Sequence, residues 1–245
     1  MRKKVLFIAV IALTFTTPNQ AASNLNPASV AYVQSQINSI RNYIASEISS
    51  LPTIPTYTVG QQALGGTVFY VDSTGTHGLV AASRQNATGQ RWNGSLDSFT
   101  VNVIVNATGD GIRAGAMNTS LMVGVQSTVA ALSAAAAVPQ SNTLNNMAAQ
   151  VCVNYEVKAD SSTCSPDTSG ASCIGNWYLP SLYELNQMYL QQSVLNRQPG
   201  DDAFLWSSTE DDQNNAWRIN FTVNSNQKAS DPKDYQSAVW CIHAF

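Results

Sequence analysis

Trp177-Tyr178-Leu179-Pro180-Ser181-Leu182-Tyr183-Glu184-Leu185 stands between Cys152 and a later pair of Trp-containing runs, Leu205-Trp206-Ser207-Ser208-Thr209-Glu210 and Trp240-Cys241. That order reads as one cross-linked sugar- or surface-binding module. Pro180 and Ser181 start a helix with Glu184 in its first turn and Leu182, Leu185, Met188 and Tyr189 on one face. Strand-like runs follow at Phe204–Ser207, Ala216–Val223 and Ala238–Ile242. Upstream, Gly65–Asp72 and His77–Ala82 flank a Ser73–Gly75 turn and predict a hairpin. Val101, Val103 and Val105 alternate with Asn102 and Ile104, a further short strand or exposed ribbon. Ala116–Val138 predicts a helix that Pro139 ends, and Asn145–Tyr155 a second one carrying Cys152.

The first residues set the compartment. Arg2, Lys3 and Lys4 precede an apolar run from Val5 to Phe15 broken only by Thr14, and Pro18, Ala21 and Ala22 follow. This is the layout of a secretory signal peptide over residues 1–22. The run is about half of the roughly 20 residues a membrane-spanning helix needs, and no later segment qualifies. Export without a membrane span is therefore expected, to the medium or the cell surface. Losing the three leading cations leaves nine basic against fifteen acidic residues, a net charge of −6. Such a chain is a poor partner for nucleic acid or anionic lipid. About 220 mature residues suffice for one sizeable core.

Four cysteines in an exported chain predict two disulfides. Of three possible pairings, Cys164 with Cys173 staples a loop too polar to pack itself, and Cys152 with Cys241 ties the chain end to its middle. The spacings 12, 9 and 68 contain no Cys-x-x-Cys pair, which argues against zinc.

Residues 27–52 carry Val30, Val33, Ile37, Ile40, Ile44, Ile48 and Leu51 at steps of three and four, a heptad seam with one slip near Glu47. Pro52 and Pro55 stop it. Isoleucine at both seam positions favours three or four strands, so an oligomerising coiled-coil helix is expected, with packing onto the chain's own globular domain as the alternative.

From Tyr57 onward the residues resemble a known family. Gly66-x-x-Phe69-Tyr70-Val71-Asp72 with Gly75-x-His77-Gly78-Leu79, then Gly115-Ala116-Met117-Asn118-Thr119, then Cys152, Trp177-Tyr178-Leu179-Pro180-Ser181-x-x-Glu184-Leu185, Leu205–Glu210, Ala216-Trp217 and Trp240-Cys241 follow the order of the Lcl C-terminal domain family, the domain that ends the Legionella collagen-like adhesin. The resemblance covers residues 57–245. It implies an α+β, C-type-lectin-like fold with short antiparallel strands and two or three helices, a bacterial source, trimer formation and adhesion to sulphated glycosaminoglycans. Two features depart from it. There is no Gly-x-y collagen tract, and from Tyr155 onward five basic residues face eleven acidic ones, whereas sulphate is held by clustered Arg and Lys.

The function expected is a secreted, non-catalytic adhesin-type module for extracellular glycan or host matrix. The alternatives are a structural or envelope-associated subunit that binds protein and, more remotely, an enzyme of the formylglycine-generating type, which would need reactive thiols. His77 and His243, the only histidines, have no nucleophile setting beside them. Arg84, Arg91 and Arg113 are the candidate ligand-binding cations. Trp92, flanked by Arg91 and Asn93, is the tryptophan expected at the surface; Trp206, Trp217 and Trp240 lie in strand runs and are expected mostly in the core. Asp201, Asp202, Glu210, Asp211 and Asp212, with Asn214 and Asn215, offer oxygen ligands to Ca²⁺ without EF-hand spacing, and a solvated loop is the plainer expectation.

Overall fold

The structure, a computed structural model, describes residues 27–93, 103–135, 147–164, 172–198, 201–222 and 225–245. The expected signal peptide lies outside them. The chain divides into two compact units, residues 1–53 and 54–245.

In the first unit, helix α1 spans Pro27–Ser50. Its apolar seam is uncovered: Val30, Val33, Ile40, Ile44 and Ile48 are each about half exposed. Serine hydroxyls at 39, 46, 49 and 50 fold back onto carbonyls three or four residues earlier. No described helix is long and apolar enough to cross a membrane.

The second unit is mixed α+β. The expected hairpin forms from β2 (Gly66–Val71) and β3 (Gly78–Ala82), with β1 (Gln62–Ala63) outside β2. The last strand, β9 (Ile242–Ala244), pairs with β3, giving the order β1-β2-β3-β9. The unit's two ends therefore meet. Phe245 packs edge-on against Tyr57 at 4.6 Å, and Gly78 exchanges backbone hydrogen bonds with Phe245. A second sheet holds β4 (Ala87–Gln90), β5 (Phe204–Glu210), β6 (Asn215–Asn220), β7 (Lys228–Pro232) and β8 (Ser237–Val239) in the order β4-β8-β5-β6-β7. Its pairs are antiparallel except β5 with β8. Helices α2 (Ala114–Ala135), α3 (Ala148–Val153) and α4 (Leu182–Leu190) complete the unit.

Several expectations are corrected here. The run Ala238–Ile242 is two strands: the chain leaves the second sheet at Val239 and enters the first at Ile242, with Trp240 and Cys241 at the crossing. The Val101–Val105 ribbon lies outside the described residues at Val101 and Asn102, and residues 103–105 are not a strand. Val105 donates its N–H to the Glu210 carboxylate at 2.8 Å, so a side chain takes the place of a ladder partner. The helix expected over 145–155 is the six-residue α3, ended at Asn154. α4 opens on the full capping box, with the Ser181 hydroxyl accepting from the Glu184 N–H and the Glu184 carboxylate from the Ser181 N–H.

Trp92 is fully buried, contrary to expectation. Its indole N–H donates to the Ser207 carbonyl at 2.8 Å. Trp177, Trp206 and Trp240 behave alike, donating to the carbonyls of Ile174, Gln90 and Ala82. A buried indole needs one acceptor, and each of these four has a backbone carbonyl; for Trp92, Trp206 and Trp240 it lies 115, 116 and 158 residues away, so those rings both fill the core and pin a distant segment. Trp217 is half-buried on β6.

Candidate functional site

Two buried carboxylates organise the loops. Glu184, fully buried, accepts from the backbone N–H groups of Arg113, Gly115 and Ser181 and from the Tyr178 hydroxyl. Burial pushes its carboxyl upward and the backbone donors pull against that; the same burial, with the Glu184 charge beside it, keeps the Tyr178 phenol protonated. Gly115 is required at this contact, because a Cβ there would lie 2.5 Å from Glu184 Oε2 and 2.6 Å from the Leu179 carbonyl oxygen. The neighbouring motif residues are clamps as well. Asn118 holds Gly109 through both its N–H and C=O, and Thr119 does the same for Leu179.

Glu210 is the second centre. Its carboxylate accepts from the N–H groups of Val105 and Asn106 and from Lys233 Nζ at 2.6 Å. Lys233 is fully buried, donates also to the Val103 and Gln213 carbonyls, and lies 5.0 Å from the Trp92 ring. Burial draws the Lys233 ammonium downward and Glu210 opposes it. Glu210 is thus turned inward, away from the expected calcium-ligand set. Of the others, Asp201 accepts from Gln198 N–H, Asp211 from Ser230 on β7, and Asp212 from Asn214 and Asn215. Among the described residues no group of three or more His, Cys, Asp or Glu is placed to hold a metal ion.

The four cysteines form Cys152–Cys241 and Cys164–Cys173, the favoured pairing. The first bond is buried and fixes the end of α3 against the sheet crossing. Cys241 N–H then donates to Asn86 Oδ1 at 2.8 Å, and Asn86 N–H to the Val239 carbonyl, so the segment after β3 is held by the same junction. Past α3, Tyr155 packs edge-on on Trp177 at 5.0 Å, and Val157 exchanges backbone hydrogen bonds with Ile174, beside Cys173.

These segments enclose an open cleft of about 400 Å³, lined by Ser83–Asn86, Asn154–Val157, Ser161, Thr163 and Cys164. Arg84 stands exposed on its wall, with no ion pair among the described residues. Burial raises the Tyr155 phenol, while a Ser83 hydrogen bond and the Arg84 charge lower it. Glu156 adds a carboxylate, Asn86 and Asn154 amides, and Ser161 and Thr163 hydroxyls. A polar lining of this kind binds through directed hydrogen bonds to a polar ligand.

Of the cations proposed from sequence, only Arg84 lines this cleft. Arg91 is half-buried and bridges to Met147, its carbonyl accepting from Ala148. Arg113, at a positive φ of 68°, opens α2 and donates through Nη2 to the Phe245 carbonyl at 3.1 Å. Tyr155, which sequence reasoning passed over, forms the aromatic part of the wall. Its place directly after the Cys152 helix was the available signal.

His243 packs at a tilt against Trp177, ring centres 5.5 Å apart, and burial lowers its pKa. The unfolded chain takes up this proton near the ordinary histidine value and the folded chain only below it. Stability is therefore full above about pH 6.5 and falls as pH drops through that value toward the depressed one. Thermal melts at pH 8 and pH 5 should show a loss of a few degrees in the wild type, and a clearly smaller loss in His243→Phe, which keeps the ring contact; equal losses would contradict the assignment.

Comparison with protein-family models and with curated protein sequences returns no match.

Proposed function

We propose that this chain is an exported, adhesin-type recognition module with a C-type-lectin-like fold, which binds extracellular glycan or host matrix at the Arg84–Tyr155 cleft without catalysis. The observation that carries this is the covalent framing of the cleft: Cys164 of the short disulfide lines it, the Cys152–Cys241 bond holds the adjoining end of α3, and most of its lining residues are polar. A site held this way meets a ligand with little ordering cost. The pairing of β3 with β9, which joins the unit's ends beneath a long loop-bearing excursion, supports the lectin-like assignment. The two disulfides fit the oxidising compartments to which a signal peptide leads. The buried carboxylates at 184 and 210 are engaged in holding loop backbone, a scaffold role rather than proton transfer.

Helix α1 supplies multivalency in this account. A second and third copy of the same helix would cover its uncovered Ile/Val stripe, since isoleucine at both seam positions favours three or four strands.

The oxidised chain on an array of neutral and sulphated glycans tests the site. Binding that survives EDTA and falls about tenfold in Arg84→Ala is expected, the loss typical of one charged hydrogen bond. Binding to envelope proteins but to no glycan would favour the structural-subunit alternative and contradict this one. Light scattering with and without residues 27–52 tests the helix. The full chain should run as about a trimer and the deletion as a monomer, with apparent affinity for an immobilised glycan reduced roughly a hundredfold or more. An unchanged oligomer would rule the helix out.

A further inference from the structure

We infer that the opening at the β4–β8–β5 edge of the second sheet is a separate subsite for an uncharged sugar ring, bound through neighbouring hydroxyls. It rests on the saccharide-binding proposal above and adds the site and the ligand's charge. The opening has a structural cause. β5 and β8 register only at Leu205 with Ala238, and β4 bulges away from β8 between Ala87 and Gln90. The strands part there around a cleft of about 510 Å³, within the usual range for small-molecule sites.

Its polar groups are preset. Arg218 lies with its guanidinium 4.2 Å from the centre of the Phe204 ring, donates from Nε to Asp231 at 2.6 Å and from Nη1 to Ser237 Oγ at 2.8 Å. Nη2 has no protein partner among the described residues, and half-exposed Tyr235 flanks the same guanidinium at 5.8 Å. Asp202 is positioned through its backbone: its N–H donates to Gln85 Oε1, and its carbonyl accepts from Gln85 Nε2 and Arg197 Nη2. Asp202 lines the cleft, and its carboxylate accepts no hydrogen bond and forms no ion pair among the described residues. Thr88 and Gln236 bring a hydroxyl and an amide to the cleft.

Charge selects the ligand. Asp231 already neutralises Arg218, and Arg197 lies on the backbone carbonyls of Asp201 and Asp202, so the locality holds two cations against three carboxylates. Sulphate or uronate is repelled there. A neutral ring instead donates hydroxyl hydrogens to the Asp202 carboxylate, accepts from Arg218 Nη2 and the Gln236 amide, and sets its apolar edge near the aromatic rings.

Saturation-transfer NMR on the full oxidised chain is the test, with methyl α-D-mannoside, methyl β-D-galactoside and N-acetylglucosamine as probes beside the 6-O-sulphated form of each. At least one neutral sugar should receive transfer. Its affinity should fall about tenfold in Asp202→Asn, as for a lost hydrogen bond to a charged group, and be unchanged in Arg84→Ala; Thr88→Val repeats the test on a second lining residue. Transfer abolished by Arg84→Ala but not by Asp202→Asn would put the sugar in the first cleft and overturn this subsite. So would tighter binding of the sulphated forms. A chain that binds array glycans yet gives no transfer from any of these sugars loses this subsite alone, and one that binds neither loses the glycan proposal as well.

Discussion

The chain carrying Cys152→Ala and Cys241→Ala should unfold with about 4–5 kcal/mol less stability than the wild type, against about 2.5–3 kcal/mol for Cys164→Ala with Cys173→Ala. The difference follows from the separations, 89 residues against 9, because the longer closed loop removes more disorder from the unfolded chain. The geometry sharpens the contrast. Cys152 and Cys241 are fully buried, so losing the bond also loosens packing between α3 and the sheet crossing, while Cys173 is exposed. The Asn86 contact depends on the Cys241 backbone, so the first variant should also weaken the Arg84 cleft. Urea unfolding with glycan-array binding on the same samples checks both. If the two variants are equally destabilised, or if the long link proves the cheaper to lose, the staple assigned to the chain end is wrong.

Lys233→Met should be nearly as damaging, at about 3–5 kcal/mol, because it leaves the Glu210 carboxylate buried with its cation gone. Three segments depend on that ammonium and its partner: residues 103–106, the turn at Gln213 and the strand end at Lys233 itself. The double variant Lys233→Met with Glu210→Gln should recover a good part of the loss, since the uncompensated charge has been removed as well. On a unit of this size the single change corresponds to a melting temperature lower by about 10 °C. Additive losses in the double variant would show that the two side chains act independently, against the paired arrangement.

What the sequence disclosed divides along physical lines. The hairpin at residues 66–82, the capped helix at Ser181 and both disulfides were legible because each rests on a local or combinatorial signal: strand-turn-strand alternation, a capping residue with Glu184 three positions on, and an even cysteine count with one obvious loop to staple. β4 and β7 were not, since Ala87–Gln90 and Lys228–Pro232 lack alternating apolar residues and owe their strand state to neighbours distant in sequence. Trp92 misled for a related reason. Its flanking Arg91 and Asn93 suggested a wet surface, but the ring is held inside by the Ser207 carbonyl and the Lys233 ammonium, 115 and more residues away. Glu210 sits in an acidic run whose plainer expectation is a solvated loop, and only Lys233 explains its burial. The cleft was half visible. Arg84 is visible as a candidate cation, while Tyr155 and Glu156 reach it only because the Cys152–Cys241 bond fixes where α3 ends.

Peptide mapping of the secreted protein, alkylated in its native state and digested without reduction, tests the scaffold on which the cleft depends. Linked peptides joining Cys152 to Cys241 and Cys164 to Cys173 are expected, with no alkylation at any of the four. Alkylated Cys152 and Cys241 in folded protein would contradict it and return those thiols to redox or metal chemistry.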